Sequence, residues 1–90
     1  MSDIEFGKIQ EVVMAVSAYV LVECEQGKSM DAAKAISKIG GVMGAHSVTG
    51  PYDVIAFVTA SNFKVLGEVV MKKIQGVTGV KKTLTNIIME

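Results

Sequence analysis

The feature that most constrains what this chain can fold into is an internal echo. Ile39-Gly40-Gly41-Val42-Met43-Gly44 is followed, 35 positions later, by Ile74-Gln75-Gly76-Val77-Thr78-Gly79, a shared I-x-G-V-x-G pattern. The same offset carries Ala18–Glu25 onto Asp53–Ala60 and Thr49 onto Leu84. Self-similarity of this kind marks repeated supersecondary units, so two copies of one unit are expected. With 90 residues in total, the two copies must share one core, because so short a chain buries only about 60–65% of its unfolded surface and cannot close a second.

Each copy reads as strand, helix, strand. Val16 to Glu25 is rich in β-formers, as is Val54 to Thr59. Gln26-Gly27-Lys28 breaks the first run, Ser29 is placed to cap a helix, and Asp31 falls near its positive end. Ala32, Ala35, Ile36 and Ile39 share one face of that helix, which Gly40-Gly41 ends. In the second copy Ser61 caps a helix whose buried stripe is Phe63, Leu66, Val70 and Ile74, with Glu68, Lys72 and Lys73 facing water and Gly76 at its end. Strands at about Val42–Thr49 and Val80–Met89 complete the units, joined by a Gly50-Pro51 turn. The order βαββαβ, with right-handed crossovers, puts both helices on one face of a four-stranded antiparallel sheet: an α+β, ferredoxin-like sandwich.

The strands are apolar on both sides. Val54, Ala56 and Val58 alternate with Ile55 and Phe57, and Val16, Ala18, Val20 and Val22 alternate with Tyr19 and Leu21. A sheet covered on one face reads polar on the other, so a second sheet from another subunit is expected to cover it, giving a dimeric α/β barrel with facing sheets. Residues 1–15 form an N-terminal extension to a domain spanning 16–90. With Asp3, Glu5, Lys8, Gln10 and Glu11 among them, they are too few and too mixed to cover the sheet.

Composition excludes several classes. Nine lysines balance nine acids and arginine is absent, so no net field draws the chain onto nucleic acid or an anionic membrane, and an anionic ligand must be held by backbone N–H groups, hydroxyls or lysine. The apolar run Val12–Val22 is well short of the about 20 residues of a membrane span, and acids rather than bases precede it, unlike a signal peptide. A single cysteine, Cys24, cannot form an internal disulfide, and a cytoplasmic location is expected.

Catalytic chemistry is not legible. His46, the sole histidine, has no carboxylate at a partnering spacing, so no catalytic residue and no enzymatic activity is assigned. Cys24 has only acids near it in sequence, which raise rather than lower a thiol pKa. No CxxC or HxxxH supports a metal, no cofactor is implied, and Gly40-Gly41-x-x-Gly44 follows a helix where a phosphate loop would precede one. The six methionines read as core filler.

The segment that stands out is Thr49-Gly50-Pro51-Tyr52-Asp53. It reads as a plain turn entering a strand. It also gathers a hydroxyl, backbone N–H groups, an aromatic ring and a carboxylate, enough to orient a zwitterion, with the acid on an ammonium and the N–H groups on a carboxylate. The run Gly41-Val42, then Val48-Thr49-Gly50-Pro51-Tyr52-Asp53, then Gly79-Val80 followed by Thr83-Leu84-Thr85, resembles the effector-binding (RAM) domain of the Lrp/AsnC transcription regulators over Val16–Met89. The resemblance implies a homodimer of βαββαβ units, assembly of dimers into rings, and amino-acid effectors held between dimers. It implies ligand contacts at Gly50 and Asp53, with Thr49 and Tyr52 beside them and Thr83 and Thr85 on the last strand. Family regulators carry an amino-terminal helix-turn-helix, for which the residues before the first strand are too few, so a stand-alone RAM domain without direct nucleic-acid contact is expected, with full-length regulators of the family as possible partners. Two other readings stay open: a small dimeric α/β-barrel enzyme resembling cofactor-independent monooxygenases, whose pocket is lined by His, Trp, Asn or Arg, and a purely structural assembly domain.

Overall fold

A computed structural model describes residues 15–89; most of the N-terminal extension lies outside them, as does the reading that it leaves the sheet uncovered. The elements are β1 (Val16–Cys24), α1 (Ser29–Ser37), β2 (Val42–Ser47), β3 (Val54–Ala60), α2 (Phe63–Glu68), which continues as a π-helical segment (Val69–Ile74), and β4 (Val80–Ile87). The four strands form one antiparallel sheet in the order β2-β3-β1-β4. This is the βαββαβ ferredoxin-like arrangement.

The core lies between one sheet face and the helices. Alternation along β1 and β3 turns Val16, Ala18, Val20 and Val22, and Val54, Ala56, Val58 and Ala60, toward Ala32, Ala33 and Ile36 of α1 and Leu66, Val69, Val70 and Ile74 of the second helical stretch. Valine and alanine dominate the sheet side because β-branched residues suit a pleat and small ones let the helices approach. Ile36 and Ile74 are the largest fully buried side chains, one from each helix.

The repeat is real, but its period is 38, not 35. Val16-Ser17-Ala18-Tyr19-Val20 superposes on Val54-Ile55-Ala56-Phe57-Val58, and Ile36-x-x-Ile39-x-Gly41-Val42 on Ile74-x-x-Val77-x-Gly79-Val80. The hydrogen bonds repeat with it: Ile39 N–H donates to Ile36 O (3.0 Å) and Val42 N–H to Ile39 O (3.0 Å), as Val77 N–H does to Ile74 O (3.1 Å) and Val80 N–H to Val77 O (3.1 Å). The two glycines adopt the same backbone, φ +97 at Gly41 and +95 at Gly79. The sequence echo places Gly41 on Gly76 because the I-x-G-V-x-G match is a coincidence of neighbouring glycines; the φ > 0 position is the one each unit needs.

Other local expectations shift for physical reasons. Ser29 does not cap α1. Lys28 occupies the N-cap without a side-chain bond, and the Ser29 hydroxyl lies 3.3 Å from that of Ser47. Asn62 rather than Ser61 caps α2, its side chain accepting from Val65 N–H. Ala33 is buried and Ala35 exposed, because α1 is rolled toward β2, which it contacts most. Phe63 lies outside the core at 64% exposure. Glu25, Thr49 and Met89 fall just beyond their strands.

Gly79 and Gly27, both at positive φ, should resist substitution unequally. A Cβ on Gly79 would lie 2.7 Å from Lys28 Cβ, whereas one on Gly27 (φ +79) meets nothing within 4 Å. Gly79→Ala is expected to cost more than the roughly 1–3 kcal/mol of backbone strain alone, and Gly27→Ala only that strain; urea unfolding of the two variants checks the order.

Candidate functional site

The β2–β3 hairpin is tied down at its base and open at its tip. Past the last ladder pair, Val22 with Val54, three bonds continue the pairing: Val48 N–H to Asp53 O, Asp53 N–H to Val22 O (both 2.8 Å), and Cys24 N–H to Asp53 Oδ2 (2.8 Å). The Asp53 carboxylate thus serves as the acceptor for the first β1 amide beyond the ladder. Gly50, at φ +115, makes the reversal possible with open space where a Cβ would stand. Thr49, Gly50 and Pro51 are exposed, and Tyr52 and Asp53 half-buried. One oxygen of Asp53, which the resemblance implies as a ligand contact, already holds β1.

Thr83 and Thr85 do not join this cluster within one protomer. They pair with Val22 and Val20 across β1, so Thr83 is two strands from Val54, a Cα separation of about 10 Å. Both are half-buried on the helix side of β4. The Thr83 hydroxyl accepts a 2.8 Å bond from Gln75 Nε2 at the end of the π-helical segment. The sequence does not single out Gln75, since only the helix ending above β4 reveals its reach. Two grooves, of about 500 Å3 between α1 and the Gly76–Thr78 loop and about 430 Å3 along α2, contain none of the six candidate residues.

Cys24 is buried, and burial, followed by the neighbouring Asp53 charge, pushes its thiol above the ordinary value. His46 is exposed on edge strand β2 opposite Ile55. Among the described residues no three His, Cys, Asp or Glu side chains are grouped as a metal would require, and no helix is long and apolar enough to cross a membrane.

The sheet face away from the helices carries Tyr19, Leu21, Ile55, Phe57 and Leu84. Cross-strand pairing sets His46, Ile55, Leu21 and Leu84 in one row and Gly44, Phe57, Tyr19 and Asn86 in the next. Tyr19 and Phe57 rings meet at 5.3 Å between centroids. Glu23, with Lys81 at 3.5 Å and Lys82 at 3.7 Å, borders the rows at one end, and Ser17 with Thr59 (3.2 Å) at the other. An apolar centre with polar ends is the anatomy of a contact surface.

The described residues thus form a ferredoxin-like unit with a Thr-Gly-x-Tyr-Asp hairpin anchored to β1. The Lrp/AsnC ligand binding domain family matches residues 17–90, and the chain belongs to that family. It is 30% identical over 77 residues to an uncharacterized HTH-type transcriptional regulator of Pyrococcus furiosus, covering 82% of this chain and 51% of that protein. The chain spans about half the length of the curated relatives it matches. A crystal structure of a Thermus thermophilus protein superposes with a TM-score of 0.78 at 31% identity, covering 83% of this chain and 94% of that one. A Neisseria meningitidis transcriptional regulator, solved as a complex with L-Met, shares the fold at a TM-score of 0.76 and 14% identity, covering 90% of this chain and 54% of that one.

Replacing Asp53 by alanine leaves the Cys24 amide unpaired in a half-buried site, and a loss of about 1–3 kcal/mol is expected; Asp53→Asn keeps an acceptor and should lose less. Because the Cys24 thiol is raised in the folded state, its contribution to stability is complete below the unfolded thiol's pKa and is lost as pH rises through the folded value. Denaturation midpoints should fall on the alkaline side in the natural chain and stay flatter in Cys24→Ala. Thiol labelling near pH 8 should be slower than for an unfolded control.

Proposed function

We propose that this domain binds a small amino acid and assembles through its sheet, acting as an effector-binding and oligomerisation module of the Lrp/AsnC type. The observation that carries the reading is the hairpin: a φ > 0 glycine at an open tip, a threonine hydroxyl and an aromatic ring beside it, and a carboxylate fixed by Cys24 N–H through one oxygen while the other accepts no bond among the described residues. An ammonium fits that carboxylate, and backbone N–H groups near Gly50, with Thr49, fit a carboxylate in a chain without arginine. The L-Met complex of the Neisseria regulator makes methionine a first amino acid to test.

The separation of the hairpin from Thr83 and Thr85 favours a site completed by another copy, since neither patch encloses a ligand by itself. Homodimer formation is ascribed to the open sheet face, where Tyr19 at 48% and Leu84 at 45% exposure have no cover among the described residues. Mixed assembly with full-length regulators of the family would use the same face. The two helices lie against the sheet, separated in sequence by β2 and β3, so residues 15–89 offer no helix-turn-helix, and sequence-specific DNA binding is not assigned to them.

A thermal-shift screen with the common amino acids tests the ligand reading, since a ligand at a hundred times its Kd adds about 2.7 kcal/mol to stability. Asp53→Asn should cut the shift by about half or more while keeping most of the fold, through loss of a charge-assisted bond worth about 1.5–3 kcal/mol, a tenfold or greater weakening. No shift with any amino acid would leave the structural reading. For assembly, Ile55→Lys should convert the sheet-paired dimer to smaller species in light scattering, and an unchanged mass would remove the sheet face as the contact.

A further inference from the structure

The second helix has two apolar sides, and the core uses one. Leu66, Val69, Val70 and Ile74 face the sheet. On the outer side Phe63, Gly67 and Met71 recur every four residues and, with Lys64, Glu68 and Lys72, line a shallow groove of about 430 Å3. Phe63 is 64% and Met71 68% exposed. An apolar floor bordered by charged residues marks a contact surface, and its occupant must match both features.

The chain itself supplies that match, and its path leads there. β1 opens at Val16, which pairs with Ala60, the last residue of β3. Asn62 and Phe63 follow directly at the start of α2. Paired Cα atoms in an antiparallel ladder lie roughly 5 Å apart, so the chain enters β1 beside the Phe63 end of the groove. From Phe63 to Met71 the helix rises only about 12 Å, and the residues that precede β1 are more than long enough to follow it. Among them Phe6, Ile9 and Val13 stand three and four apart, the spacing of one helical face. Traced back from Val16 along the groove, Val13 meets Phe63, Ile9 meets the gap at Gly67, and Phe6 meets Met71.

Charge agrees with this register. The segment carries Asp3, Glu5 and Glu11 against Lys8, whereas the outer side of the helix carries Lys64, Lys72 and Lys73 against Glu68. Glu5, next to Phe6, falls beside Lys72, and Lys8, next to Ile9, falls beside Glu68. These signs would match with the direction reversed as well; the position of Val16 beside Ala60 is what fixes the direction.

We propose that the outer groove of α2 seats the chain's own amino-terminal segment, with Phe6, Ile9 and Val13 running antiparallel to α2 over Met71, Gly67 and Phe63. The contact uses no residue of the β2–β3 hairpin or of the open sheet face. It holds the segment on the helix side of the domain and leaves the sheet face free for another copy.

Two measurements on the full chain test this. Trypsin cleaves after Lys8 only while the segment is lifted, so the cleavage rate follows the open population. Phe63→Ser/Met71→Ser, which alters side chains outside the core, should speed that cut about tenfold or more with no change at sites in the folded domain. Glu5→Lys should speed it less, and Glu5→Lys/Lys72→Glu should slow it again, a rescue that a general loss of folding would not allow. The second measurement is disulfide trapping of Ile9→Cys with Gly67→Cys in a Cys24→Ala chain. A Cβ at Gly67 meets nothing within 4 Å, so the protomer tolerates the change. Oxidation should give a bridge within one chain, at monomer mass, whereas Ile9→Cys with Lys38→Cys on the end of α1 should give none. Equal cleavage after Lys8 in the natural and Phe63→Ser/Met71→Ser proteins would overturn the proposal. So would a bridge that appears only between two chains, which would place the segment on another copy.

Discussion

Burial of the valine and alanine face of β1 and β3 beneath both helices is the interaction on which the rest of this structure depends. β1 and β3 are the two central strands, and every residue they turn inward is apolar. With Ile36 and Ile74 wedged against them, this single layer fixes the sheet order, the side on which the helices lie and the register of the edge strands. Truncating either isoleucine to alanine belongs to the class of core changes that cost about 2–5 kcal/mol, a large part of the stability of a domain this small.

The same layer sets where function can reside. Packing the helices on one face leaves Tyr19, Leu21, Ile55, Phe57 and Leu84 on the other, so a surface able to receive another copy is a by-product of covering the core from one side. It also fixes the hairpin. Asp53 is anchored because β1 runs past its ladder with β3 and presents the Cys24 amide to a carboxylate. A group that holds the framework through one oxygen and presents the other is preorganised, because its position does not have to be fixed anew when a ligand arrives.

The residues show unevenly how much of this is readable in advance. The element order, the sheet class and the doubly apolar strands are written in local patterns: alternation at Val16–Val22 and Val54–Val58, helical spacing at Ala32–Ile36 and Leu66–Ile74, and glycines at the junctions. The repeat is visible in the sequence, but its period reads three residues short, because Gly76 and Gly79 are both near the junction and only backbone torsion separates the one that must have φ > 0 from the one that need not. The hairpin is legible as a chemical cluster. Its attachment to Cys24 is not, since those residues are 29 positions apart and meet only when β3 pairs with β1.

Sequence alone determined the two-unit α+β fold, the chain's neutrality and lack of arginine, and the excess of apolar strand residues, because each follows from short-range periodicity or from counting. Tertiary structure alone decided that Phe63 faces out, that Ala33 rather than Ala35 faces in, that Gln75 reaches Thr83, and that Asp53 ties the hairpin to β1. The physical reason is the same in each case. A helical pattern fixes which residues share a face but not how the helix is rolled on its sheet, and a polar group's role depends on which distant donor the packing brings to it.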